Sequence, residues 1–204
     1  MGDKQYKAMK QFKWWVDNVP NMRDQFEKWL GTTDDPSRKW FREFIKNNNV
    51  QSVLDVACGT GVEHAGFKEN GVDVKYRGVD ITPFLVEENK SKGRDCVLGN
   101  IEDIPEEDNS WEVVYGRHII EHLEYYEKAV EEMCRVASQY VVIVHFLPLV
   151  EDEVIKKTVR KDGEFHENLY AEDEFLAFCR KFGEVERVEI GTQSITYITL
   201  NNNV

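Results

Sequence analysis

Asp55 stands inside the apolar run Val53-Leu54-Asp55-Val56, which ends in the loop Ala57-Cys58-Gly59-Thr60-Gly61. A carboxylate in an apolar strand is costly without partners, so its type and position point to ligand chemistry. Nineteen residues beyond Gly61, the stretch Tyr76–Val79 ends in a second acid, Asp80. A strand feeding a glycine loop at a helix start, then a second strand tipped with an acid, describes a nucleotide-type cofactor site. The glycines let backbone approach a ligand, and the second acid can accept hydrogen bonds from both ribose hydroxyls.

These residues need a sheet to hold them. Strands are expected at 51–56, 73–79, 95–98, 112–116, 139–145, 184–190 and 194–200, with helices at 62–70, 82–92, 120–137 and 171–182. Strand–helix alternation with short links predicts an α/β fold, a doubly wound, Rossmann-like, mostly parallel seven-stranded sheet. The last two strands, separated only around Gly191-Thr192, are expected as an antiparallel hairpin at the sheet edge. The first fifty residues read as an aromatic helical cap carrying Tyr6, Phe12, Trp14, Trp15, Phe26, Trp29, Trp40, Phe41 and Phe44. Pro20 interrupts it, Gly31 closes a helix over about 20–30, and Asp35-Pro36 opens another. One domain over 1–204 is expected, with the cap at 1–48, the core at 49–204 and a lid at 147–170, the one long irregular segment.

The net charge of −12 argues against nucleic acid, because phosphate binding needs clustered Lys and Arg. Cys58, Cys96, Cys134 and Cys179 form no C-x-x-C pair and read as reduced thiols of a cytoplasmic protein. No apolar run reaches membrane-spanning length, and Met-Gly-Asp-Lys-Gln has no signal-peptide core. The oligomeric state is open.

A dinucleotide fingerprint would need a third glycine where His64 stands. The fuller string Leu-Asp-Val-Ala-Cys-Gly-Thr-Gly resembles instead the first motif of class I S-adenosylmethionine-dependent methyltransferases, in particular the ubiquinone-biosynthesis and small-molecule group. Gly78-Val79-Asp80-Ile81-Thr82 resembles the second motif, and Gly99-Asn100-Ile101-Glu102-Asp103-Ile104-Pro105 the loop that flanks adenine. Asn109–Val114 and His118-Ile119-Ile120-Glu121-His122-Leu123 resemble the approach to strand four and the segment after it. The resemblance covers about 36–200. It departs at Asn100, where the family often has Asp, and at Ala137-Ser138-Gln139, where a Gly-Gly turn is missing.

The resemblance implies S-adenosylmethionine as cofactor, S-adenosylhomocysteine as product, and contacts from Arg38, Asp55, Ala57, Cys58, Gly59, Gly61, Asp80, Ile81, Asn100, Ile101, Glu102 and Arg117. Asp55 would orient the loop and reach the methionine ammonium. Arg38 would hold the methionine carboxylate, unless it is only a surface arginine of an amphipathic helix. His118 and His145, just past strands four and five, are the expected general bases, among four histidines that include His122 and His166. His118 and His122 also form H-x-x-E-H, a pattern two helical histidines of a zinc protease would share, but no third ligand is apparent; no metal ligand is assigned and metal dependence is open. Trp14 and Trp15 are adjacent and cannot face the same way, so one is free to close over the cofactor or acceptor. The expected function is methyl transfer to an O or N atom of a small molecule enclosed by 1–30 and 147–170. A peptide methyltransferase and a silent cofactor-binding module are the alternatives.

Overall fold

A computed structural model describes residues 12–155, 157–160 and 163–201. Residues 1–11, with Tyr6 of the expected cap, residues 156 and 161–162 of the expected lid, and residues 202–204 lie outside the described residues.

The cap consists of α1 (Lys13–Asn18), a 3-10 turn (Val19–Met22) built on Pro20, and α2 (Arg23–Leu30), which stops at Gly31 with φ 75°. Helix α3 (Pro36–Asn47) starts where the sequence predicts it. The Asp35 carboxylate accepts from Ser37 N at 3.0 Å, and Pro36 occupies the first turn, where no amide donor is needed.

The core follows as β1 (Ser52–Val56), α4 (Val62–Glu69), β2 (Lys75–Asp80), α5 (Pro83–Ser91), β3 (Cys96–Leu98), β4 (Trp111–Arg117), α6 (Glu127–Val136) and β5 (Ala137–His145). A two-stranded hairpin, β6 (Lys157–Arg160) and β7 (Gly163–His166), precedes α7 (Glu172–Cys179), β8 (Gly183–Ile190) and β9 (Gln193–Leu200). The large sheet runs β3-β2-β1-β4-β5-β9-β8. Strands β1 to β5 are parallel, and β9 runs antiparallel between β5 and β8, with His145 opposite Ser194.

Alternation along the buried strands sends neighbours to opposite layers. Leu54, Val114, Val141 and Ile143 join Ala129, Val130 and Met133 of α6 and Phe175 of α7. Val53, Val113, Val142 and Val144 instead meet Phe41, Phe44 and Ile45 of α3 and Phe67 of α4. Both faces are thereby covered, as a parallel sheet requires.

Two expectations need correction. The helix expected at 120–137 begins at Glu127; Ile120–His122 is a 3-10 turn, and Leu123 is extended. The buried Leu123 and Asn168 draw that chain inward, for Asn168 donates to the Leu123 carbonyl at 2.7 Å. The segment 147–170 is not irregular throughout but carries the β6–β7 hairpin. Its strands are short and charged, and Phe165 is held from outside by the Trp14 and Trp15 rings, so no local hydrophobic period betrays it.

Candidate functional site

The C-terminal ends of β1, β2 and β4 open onto a cavity of about 420 Å³, where ligands of doubly wound sheets bind. Ala57 and His118, which directly follow β1 and β4, both have left-handed backbone at φ 60° and 56° and both line it. Such strain in non-glycine residues persists only where the surroundings impose it, and it gathers at functional sites. Gly59 and Gly61 share that conformation at φ 57° and 71°, without the Cβ penalty. Asn89 of α5 holds this loop from behind, donating from Nδ2 to the Gly59 carbonyl at 2.8 Å.

Asp80 is buried on the cavity wall. Its Oδ2 accepts from Gly59 N at 2.9 Å and its Oδ1 from Thr82 N at 2.8 Å, so one carboxylate joins the glycine loop to the start of α5. Burial raises its pKa and these amides oppose the rise. Asn100 also lines the cavity. Its Oδ1 accepts from Glu102 N at 3.0 Å, which orients the amide, while the buried Nδ2 has no hydrogen-bond partner among the described residues. A buried donor of this kind, beside a buried carboxylate and a cradle of open backbone, fits a nucleoside.

The expected cofactor residues fall into two sets. Ala57, Asp80, Ile81, Asn100, Ile101 and Arg117 line the cavity; Asp55, Cys58, Gly59, Gly61 and Glu102 stand around or behind the loops that shape it. Arg38 is turned to a buried ion pair with Glu63 at 2.7 Å, and Tyr115 donates to the same Glu63 oxygen at 3.0 Å. Asp55 accepts from the Tyr76 hydroxyl at 2.7 Å, and burial together with Glu63 pushes its carboxyl up to about 7. Arg117 is the arginine on the wall, fixed by Asp35 at 3.1 Å and by Ser37 Oγ at 3.3 Å. Burial alone would raise Asp35, but its bonds from Ser37 and the Arg117 charge outweigh it and hold the carboxyl at about 2.

The histidines differ sharply. His145 is fully buried away from the cavity, with Nε2 at 3.3 Å from Thr196 Oγ1 and its ring against Phe175. Burial lowers its pKa to about 3. His118 lines the cavity, but its Nδ1 lies 3.2 Å from Arg117 Nη1, a group that can only donate, so the Nδ1 lone pair is engaged. Burial and then Arg117 lower its pKa to about 3. His122 has the opposite tautomer. Its Nδ1 is 2.8 Å from the His166 carbonyl oxygen, which only accepts, so Nδ1 carries the proton and Nε2 keeps its lone pair. Burial lowers this histidine to about 4. Among the described residues, no group of three or more His, Cys, Asp and Glu side chains could hold a metal ion.

For the far end of the cavity, sequence reasoning named the segments 1–30 and 147–170 and the pair Trp14 and Trp15, but not the individual residues after β5. Trp14 is buried against Phe165 at 4.8 Å between ring centroids, while Trp15 lines the cavity and meets His122 edge-on at 4.8 Å. Phe26 and Trp29 from α2, Phe146 after β5, and Phe165 and Glu167 of the hairpin region complete that wall. Phe146 and Phe165 each lie 5.3 Å from His122. The aromatic residues at 12–29 were visible as a class, but Phe146, Phe165 and Glu167 carry no local pattern.

This strand order, with a reversed β9, a glycine loop after β1 and an acid closing β2, is the fold seen in solved structures of S-adenosylmethionine-dependent methyltransferases. Residues 54–144 match the family model for a methyltransferase domain. It is 31% identical over 109 residues to the demethylmenaquinone methyltransferase of Paenarthrobacter aurescens, a match over 50% of this chain and 42% of that protein. It is 30% identical over 121 residues to ajmaline N-methyltransferase of Rauvolfia serpentina, over 54% and 37% of the two chains. The chain thus spans less than half the length of these curated relatives. The solved structure of Streptomyces venezuelae DesVI superposes with a TM-score of 0.66 at 14% identity, covering 89% of this chain and 98% of that one. Among the described residues no helix is long and apolar enough to cross a membrane.

Proposed function

We propose that the protein transfers a methyl group from S-adenosylmethionine to an O or N atom of a small molecule. The observation that carries this reading is the single cavity wall running from the buried Asp80 and Asn100 to the rings of Trp15, Phe146 and Phe165. One end has the donors and acceptors of a nucleoside site; the other, roofed by the cap, suits a compact acceptor. The bound cofactor supplies an electrophilic methyl group on a sulfonium and leaves as a neutral thioether.

The chain's own residues have positioning work. Asp80 accepts from the ribose hydroxyls, and Asn100 Nδ2 donates to an acceptor on the adenine edge. Arg117 and the Asp55 region face the methionine end, the role first expected of Arg38. The cap rings keep water from the reacting atoms and align acceptor with methyl group. His122 Nε2 holds the lone pair available to an acceptor proton. Quinone and alkaloid substrates named for the relatives agree with a small acceptor. The free thiols of Cys58 and Cys96, 3.6 Å apart, agree with a cytoplasmic setting.

Calorimetric titration with S-adenosylmethionine and S-adenosylhomocysteine, using wild type and Asp80→Ala, tests the reading. Micromolar binding lost in the folded variant is expected. A folded wild-type protein that binds neither would overturn it.

A further inference from the structure

We infer that the acceptor is an apolar amine, bound by the ring cluster of Trp15, Phe26, Phe146 and Phe165 with Glu167 at its edge, and that the methylated atom is nitrogen. This rests on the methyltransferase reading and narrows its acceptor.

The rings form a continuous wall. Trp15 lies 6.1 Å from Phe26 and 5.5 Å from Phe165, and His122 bridges Phe165 to Phe146. Aromatic faces carry negative potential and attract organic cations. Glu167 is the carboxylate that lines this end, whereas Asp80 belongs to the nucleoside end. Arg117 is the one cation among the described lining residues, and it is turned toward Asp35, Ser37 and His118. Among the described residues the aromatic end therefore offers no cation to stabilise a phenolate or a carboxylate, and Glu167 repels both. The chain's net charge of −12 favours cations at longer range.

The proton chemistry agrees. Burial keeps His122 weakly basic, at about 4, a poor match for pulling a proton from an alcohol or phenol before attack. An amine needs no such help once neutral. It arrives as an ammonium ion, drawn by the rings and Glu167, and releases a proton to water at the exposed Glu167 edge. The nitrogen lone pair then forms the bond to the methyl carbon while the carbon–sulfur bond breaks and its electron pair stays on sulfur. The methylated nitrogen carries the positive charge and returns its remaining acidic proton to water or to His122 Nε2.

The test uses the whole chain with S-adenosylmethionine and three probes of matched shape: 2-phenylethylamine, 2-phenylethanol and 3-phenylpropanoate. S-adenosylhomocysteine release is followed, and its binding is measured separately by calorimetry. Methylation of the amine alone is expected, with a rate that rises with pH as the free amine accumulates. In Glu167→Gln, KM for the amine should rise about two- to fivefold with kcat and S-adenosylhomocysteine affinity little changed. Equal or faster methylation of the alcohol or carboxylate overturns the inference, as does cofactor binding with no amine turnover. Absence of cofactor binding overturns the methyltransferase reading itself, and the inference with it.

Discussion

His122 Nδ1 lies 2.8 Å from the carbonyl oxygen of His166, so a ring on the cavity wall is locked in one tautomer by the β6–β7 hairpin. The contact spans 44 residues of sequence and leaves Nε2 as an acceptor among Trp15, Phe146 and Phe165. His122→Ala, which removes a ring from the wall that aligns the acceptor, is expected to lower kcat about tenfold while S-adenosylhomocysteine binding is retained. His145→Asn should instead cost about 1–3 kcal/mol of stability, with kcat unchanged in the folded fraction. Steady-state kinetics and urea unfolding on both variants separate the roles; a kcat loss confined to His145→Asn would reverse the assignment.

The cap is fastened to the core at one fork. Arg23 Nε and Nη2 reach the two Glu88 oxygens of α5 at 2.6 Å each, a bidentate pairing. The Arg23 guanidinium is the main influence holding the Glu88 carboxyl down at about 2. Arg23→Ala should change global stability by less than about 1 kcal/mol. Amide exchange across residues 12–30 should quicken, and KM for the acceptor should rise. Arg23→Lys, which lacks the fork, should restore little. Unchanged exchange in Arg23→Ala would mean that packing alone seats the cap.

Gly78 lies under a pair of cysteines. A Cβ there would stand 2.5 Å from Cys58 Sγ, and Cys58 belongs to the glycine loop. Gly78→Ala is therefore expected to cost about 1–3 kcal/mol and to weaken S-adenosylhomocysteine binding by moving the loop. Cys58→Ala in the same chain should recover much of both. Calorimetry on the single and double variants decides it, and wild-type affinity in Gly78→Ala would refute the clash.

Buried titrating groups set a pH optimum for stability. His118, His122 and His145 are lowered to about 3, 4 and 3, so between pH 4.5 and 6 they are neutral when folded and protonated when unfolded. Burial raises Asp55 and Glu121 to about 7, so over the same range they hold protons only in the folded state. Unfolding takes up about one proton net, and Asp80, raised, and His64, lowered, oppose each other. Stability should rise by about 1.4 kcal/mol per pH unit up to about pH 6. It should then decline slightly as Asp55 and Glu121 ionise in the folded state through about pH 7. Urea midpoints at pH 5, 6 and 7.5 measure this; a steady rise to pH 7.5 would contradict the raised carboxyls.

The sequence by itself determined the sheet and which residues meet where β1, β2 and β3 end. Those residues sit at the tips of strands whose apolar runs, glycines and terminal acids are local signals, and β1 and β2 are neighbours joined by one helix. The loop from Ala57 to Gly61, Asp80 and Asn100 were legible for that reason. Tertiary structure alone decided the rest. Arg38 and Arg117 both read as ligands, and only packing turned one toward Glu63 and left the other on the wall. His118, His122 and His145 look alike in sequence. Their tautomers and exposure depend on Arg117, on a carbonyl of the hairpin and on Thr196, partners that no spacing rule predicts. Phe146, Phe165 and Glu167 follow no helical or strand period, because their place is set by a cap and a hairpin that meet only after the chain has folded. Local propensity is written residue by residue, whereas proton positions and cavity walls depend on contacts between distant segments.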